Sequence, residues 1–243
     1  MWCEDDDQVV ALFVEFCQDL FQTSNSNHID EVLEDTTMSI STTMNSMLVG
    51  EFTKMEVGYA LKQMSPLKAP SLDGMPPVFY QHFWKDIGND VSSVVLSVLN
   101  TSIIPPSINH TYITLIPKVK SPKHVSEFRP IALCNILYKL VSKVLANRLK
   151  KILPDIISES QSAFQTHKAI SNNILVAFES LHHMKLRKRG RSGFMAMKFD
   201  MSNAYDLVEW VFLEKLMVKM GFDRKWFSLV LGLYQYYLIL YFG

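Results

Sequence analysis

Leu137, Leu140, Val141, Val144, Leu145 and Leu149 recur at the three- and four-residue spacing that lines one face of a helix ending near Pro154. A stripe of that length has to be buried, so the rest of the chain must supply elements that pack on it. Its outer face is cationic, with Lys139, Lys143, Lys150 and Lys151. Helical spacing recurs elsewhere. Val9, Val10, Leu12, Phe13, Phe16 and Leu20 follow the acids Glu4 to Asp7, which favour a helix N-terminus. Thr53 and Glu56 form a capping box with Phe52 and Val57 placed as its hydrophobic staple, which predicts a helix through about Met64. Pro77 opens a predicted helix over 78–87, and further helices are expected over 90–99 and 170–185.

Two short runs read as strands. Tyr112 to Ile116 is β-branched and aromatic and is closed by Pro117, with a loop expected as far as Pro130. Phe194 to Phe199 reads as a second strand between helical blocks. Polar stretches at Thr23–His28 and Thr36–Ser46 interrupt the pattern, and the latter is the best linker candidate. No internal repeat is present.

With 243 residues, 48% of them apolar, the chain is long enough for one good-sized core or two modest ones. Cys3, Cys17 and Cys134 lack the paired spacing of metal sites or disulfide frameworks. No secretory signal is read at the N-terminus, so an intracellular setting is expected. The apolar tail from Trp226 to Gly243 raises the question of a membrane span, but Gln235 and the tyrosines around it argue against one. It fits better as a buried helix or strand whose partners are missing.

A formal net charge of zero conceals an asymmetry. Residues 1–60 hold twelve acids against the single Lys54, a balance of −11, and the remainder carries +11. This reads either as an acidic arm beside a body that attracts polyanions, or as two differently solvated surfaces.

The segment Met197-Lys198-Phe199-Asp200-Met201-Ser202-Asn203-Ala204-Tyr205-Asp206 places an acid at the end of an apolar strand, before a turn into a helix. A carboxylate at the rim of a sheet can hold a divalent ion, as nucleotidyl transfer requires. Alone, such an aspartate is weak evidence and reads first as a helix cap or a surface residue.

FDMSNAYDLVEW at 199–210 resembles the first palm motif of reverse transcriptases of the non-LTR (LINE-type) retrotransposon family, especially those carried by plant genomes. TLIPKVK at 114–120, FRPIALCNILYKLVSKVLANRLK at 128–150 and SESQSAF at 158–164 resemble the family's finger motifs in order and spacing. WCED at 2–5 and the KAP..DG pattern at 68–74 resemble its upstream linker.

The resemblance implies an α+β fold, a partial right-hand polymerase: acidic N-terminal helices in a linker region over 1–65, mostly helical fingers with a short hairpin over 66–193, and an incomplete palm over 194–243. It implies that Asp200 is the catalytic metal ligand for Mg²⁺, with the Met201 carbonyl as a second contact. Tyr205 would lie under the incoming sugar and favour deoxynucleotides; read alone, it is a core tyrosine. Lys118 and Arg129 would hold the nucleotide triphosphate, where isolated residues would read as surface charges. Lys185, Arg187, Lys188, Arg189 and Arg191 would either contact template or primer phosphates or form a solvated loop whose cations suit a helix C-terminus. The implied partners are an RNA template, a DNA primer and deoxynucleotide triphosphates, with no membrane.

Departures from the pattern are specific. The sequence has no Tyr-x-Asp-Asp, and no motif built on Gln-Gly and Ser-Pro. Ser71 and Leu72 replace a Gly and a Pro, His167 and Lys168 replace Gly-Arg, Asn172 replaces an Asp, and Asn203 and Leu207 stand at positions that are often basic. A truncated copy, inactive by itself, is therefore expected, its open palm edge favouring self-association. The rival expectations are a nucleic-acid-binding module and an active enzyme whose remaining palm is supplied by a second chain or by coding sequence downstream of a gene model that ended too early.

Overall fold

The computed structural model describes residues 6–21, 28–71, 73–158, 160–161, 169–186, 194–199 and 208–234. Among them, helices α1 (Asp6–Phe21), α2 (Ile29–Val32), α3 (Thr42–Val49), α4 (Lys54–Lys62), α5 (Pro77–His82), α6 (Trp84–Thr101) and α7 (Pro106–Asn109) precede a hairpin of β1 (Thr111–Pro117) and β2 (Phe128–Cys134). Then come α8 (Ile136–Leu149), α9 (Leu153–Ile156), α10 (Ile170–Leu186), α11 (Trp210–Met220) and α12 (Arg224–Tyr234). The fold is thus mixed: helices with one small two-stranded sheet.

The predicted stripe organises the core. Leu140, Val141, Val144 and Leu145 of α8 are buried against α4 and α6, while α12 lies against α3 and α8. In α4, the Thr53 hydroxyl accepts from the Glu56 N–H and the Glu56 carboxylate accepts from the Thr53 N–H, with Phe52 and Val57 buried beside them. Helix α6 contributes Val91, Val95, Val98 and Leu99, spaced to face the same interior.

Long-range polar bonds lock the perimeter. Asn45 on α3 donates to the Gly221 carbonyl at 2.8 Å and accepts from the Asp223 N–H at 2.8 Å, which holds the turn between α11 and α12. The Tyr138 hydroxyl donates to the Leu233 carbonyl at 2.9 Å and joins α8 to α12.

Several expectations are corrected. The 36–46 stretch is not a free linker: Ser39 and Ile40 donate to the Met220 carbonyl, and Ser41 caps α3 by accepting from Met44 N–H. With eight residues, α3 is too short to display a period. The expected break between 87 and 90 falls instead at Phe83, the residue shared by the end of α5 and the start of α6. The stripe helix ends at Leu149, and Leu153–Ile156 forms its own turn.

The loop expected as far as Pro130 stops at Phe128, because Pro130 lies inside β2 opposite Leu115. Lys118 N–H donates to the Glu127 carbonyl, which sets the bonded pairs at alternate positions and leaves Pro130 where an N–H would point off the ribbon.

Residues 194–199 form no strand and are all exposed. A strand needs a neighbour for its backbone groups, and among the described residues only β1 and β2 pair. The expected open palm edge is accordingly absent there. Exposed apolar surface lies instead on Phe194, Met195, Met197 and Phe199 and along α10, at Ile174, Leu175, Val176 and Phe178. The described part of the tail has partners: Trp226, Leu229 and Leu233 are buried in the core, and residues beyond 234 lie outside the described set. No helix among the described residues is long and apolar enough to cross a membrane.

Candidate nucleotide and nucleic-acid interface

The hairpin decides how two of the predicted site residues relate. Ile116 stands opposite Arg129, and Lys118 lies two residues beyond Ile116. Side chains alternate along a strand, so Lys118 and Arg129 share a face of the ribbon. That face also carries Thr114 and Ile131 and is open to solvent. The opposite face holds the buried Thr111 and Ile113 and continues to Phe128, whose ring meets Phe13 of α1 edge-on at 5.3 Å. Helix α1 therefore covers the face away from the two cations.

The turn between the strands is tied by its own backbone. The Glu127 carboxylate accepts from Lys123 N–H at 2.5 Å and His124 N–H at 3.1 Å, and these bonds hold its carboxyl below the usual carboxylate range. Lys118 Nζ donates to the Ser126 carbonyl at 2.8 Å, so the ammonium rests on the turn, at the solvent side. A basic fork and a point charge on one exposed ribbon face are suited to phosphate oxygens.

A second set of charges was visible in the sequence but not assigned to any role. Lys139 Nζ donates to the Ala69 carbonyl at 3.0 Å, which draws the loop between α4 and α5 over the outer face of α8. Burial, chiefly, pushes the Lys139 and Lys143 ammonium groups down; the nearby cations Lys68, for both, and Lys150, for Lys143, push the same way.

Sequence reasoning missed Arg148, which is 7% exposed and donates to both oxygens of Glu56. Its position, four residues after Val144 on the apolar face of α8, was the available signal.

Lys185 sits exposed in the last turn of α10. Asp200, Met201, Tyr205, Arg187, Lys188, Arg189 and Arg191 lie outside the described residues. Among the described residues no group of three or more His, Cys, Asp or Glu side chains is placed to hold a metal ion. The structure thus brings together Lys118 and Arg129, and does not offer a metal donor set in the part it describes.

Residues 116–240, just over half the chain, match the reverse transcriptase (RNA-dependent DNA polymerase) family. The match opens on β1 and takes in both hairpin cations and all of α8. Over 199 residues the chain is 29% identical to the transposon TX1 uncharacterized 149 kDa protein of Xenopus laevis, an alignment covering 82% of this chain and 15% of that protein. The chain therefore spans a small part of the length of the curated relative it matches. On this family match, which opens on the hairpin and covers just over half of the chain, this chain belongs to the reverse transcriptase (RNA-dependent DNA polymerase) family.

Proposed function

We propose that this chain forms the fingers and first palm segment of an RNA-directed DNA polymerase, and that Lys118 and Arg129 hold the triphosphate of the incoming deoxynucleotide. The observation that carries this is their common, solvent-facing side of the β1–β2 ribbon. Phosphate has only to displace the exposed bond from Lys118 to Ser126, while the Arg129 fork supplies two parallel donors. In this reading the fingers run over 66–193 and the palm segment over 194–243, with 1–65 as the acidic region before them. An RNA template and a DNA primer are the nucleic-acid partners, contacted by Lys185, Arg187, Lys188, Arg189 and Arg191.

Polymerases of this family generally use a divalent metal. Asp200, with the Met201 carbonyl, would be the residue of this chain that holds Mg²⁺, and the metal would supply charge neutralisation at the reacting phosphate. Tyr205 would exclude a 2′-hydroxyl. One carboxylate is fewer than a two-ion site needs, and no Tyr-x-Asp-Asp occurs in the sequence. We therefore expect no primer extension by this chain by itself. A second reading has the chain act by binding nucleic acid alone, through its basic residues.

Binding of a fluorescent deoxynucleotide triphosphate tests the first reading. Arg129→Ala should weaken it roughly tenfold or more, the effect of losing one charge-assisted contact, and unchanged affinity in both Arg129→Ala and Lys118→Ala would refute the assignment. Primer extension on an RNA template, with Asp200→Ala as control, separates the two readings: extension that the control abolishes would rule out binding alone.

A further inference from the structure

We infer that the outer face of α8, together with Lys68, is a track for the phosphate backbone of a nucleic-acid strand, distinct from the hairpin cations. The inference rests on the reading that this domain handles nucleic acid. At 100° per residue, Lys139, Lys143 and Lys150 fall within a narrow sector of the helix, and their positions span about 16 Å along its axis. The loop carrying Lys68 is drawn onto this face by the bond from Lys139 to the Ala69 carbonyl.

The charges are not internally balanced. The ionised neighbours acting on Lys143 are Lys150 and Lys68, both cations, and Asp73 is the one carboxylate acting on Lys139. No ion pair or hydrogen bond engages the ammonium groups of Lys68, Lys143 or Lys150 among the described residues. Like charges at one helical spacing repel, and burial adds to the cost at Lys143. A favourable place at a helix C-terminus accounts for Lys150 alone. An extended polyanion relieves all of them together.

The occupant is a strand rather than a single phosphate because the row is longer than one phosphate group. Lysines act as point charges without a fixed fork, so the contact reads the backbone and not the bases.

The test is anisotropy of a fluorescent single-stranded RNA with the full chain, followed from about 50 to 200 mM salt. Lys143→Gln/Lys150→Gln should flatten the slope of log K against log salt by about 0.7 per lysine, which removes roughly a sevenfold part of the salt-induced loss of affinity. Lys143→Arg/Lys150→Arg should restore the slope, an outcome that a purely structural role of the lysine side chains would not produce. Circular dichroism confirms that each variant is folded. An unchanged slope in the glutamine variant overturns this inference and leaves the nucleotide assignment standing. Absence of RNA binding by the parent at low salt overturns it as well, while nucleotide binding at Arg129 is decided by its own assay.

Discussion

Replacing Arg148 by alanine should be among the most damaging single changes in the described structure. Arg148 Nε donates to Glu56 Oε1 at 2.7 Å and Nη2 to Oε2 at 2.9 Å. Nη1 reaches the carbonyls of Leu48 at 2.9 Å and Gly50 at 2.6 Å, and Nη2 that of Glu51 at 2.6 Å. The guanidinium also lies 3.7 Å from the centre of the Phe52 ring. One side chain thus closes the turn between α3 and α4 onto α8. Adding five charge-assisted bonds at full value would overshoot, because Glu51 is exposed and its carbonyl can take water once freed. The better guide is the loss on breaking a buried ion pair from one side, about 3–5 kcal/mol. For a chain of this size that lowers Tm by roughly 6–20 °C. Arg148→Lys keeps the charge but cannot span five acceptors, and should lose about half as much. Urea unfolding followed by tryptophan fluorescence measures both, read as a shift in midpoint at constant slope. Arg148→Ala within about 0.5 kcal/mol of the parent would refute the reasoning, since that is the scatter of ordinary surface changes.

Two further outcomes follow from the same contacts and the neighbouring turn. Burial pushes the Glu56 carboxyl up, but the Arg148 guanidinium and the Thr53 N–H and hydroxyl outweigh it and hold the group below its ordinary value of 4.5. A depressed folded pKa means a contribution fully present above 4.5 and lost as pH falls through the lower folded value, so thermal melts should show an acid decline that is shallower in Arg148→Ala. Gly221 ends α11 at φ +89°, where an added Cβ would meet Met38 at 2.9 Å. Met38 is exposed and can move, so Gly221→Ala should cost about 1–2 kcal/mol from the left-handed backbone alone, measured by urea unfolding; a neutral result would contradict that geometry.

What could be read in the sequence and what could not differ in range. The Thr53–Glu56 cap, the α8 stripe and the extent of α10 rest on residues within a few turns of one another, and local spacing was enough to predict them. The family was legible for a similar reason: its motifs are contiguous runs, and the match from 116 to 240 covers three of those that suggested it in full, at 128–150, 158–164 and 199–210. Pro130 misled because proline argues against a strand unless its missing N–H faces away from the partner, and that depends on register with β1. Residues 194–199 have the composition of a strand, yet composition cannot provide the neighbour that a strand needs.

The site divides along the same line. The sequence determined which residue types were available, including Lys118, Arg129 and the lysines of α8. Only the tertiary structure set Lys118 and Arg129 on one face, by fixing the register of a hairpin, and only it turned Arg148 from a charge on an apolar face into the partner of a glutamate 92 positions away. Pairing between distant residues is decided by how the whole chain closes on its core, and no local spacing encodes it.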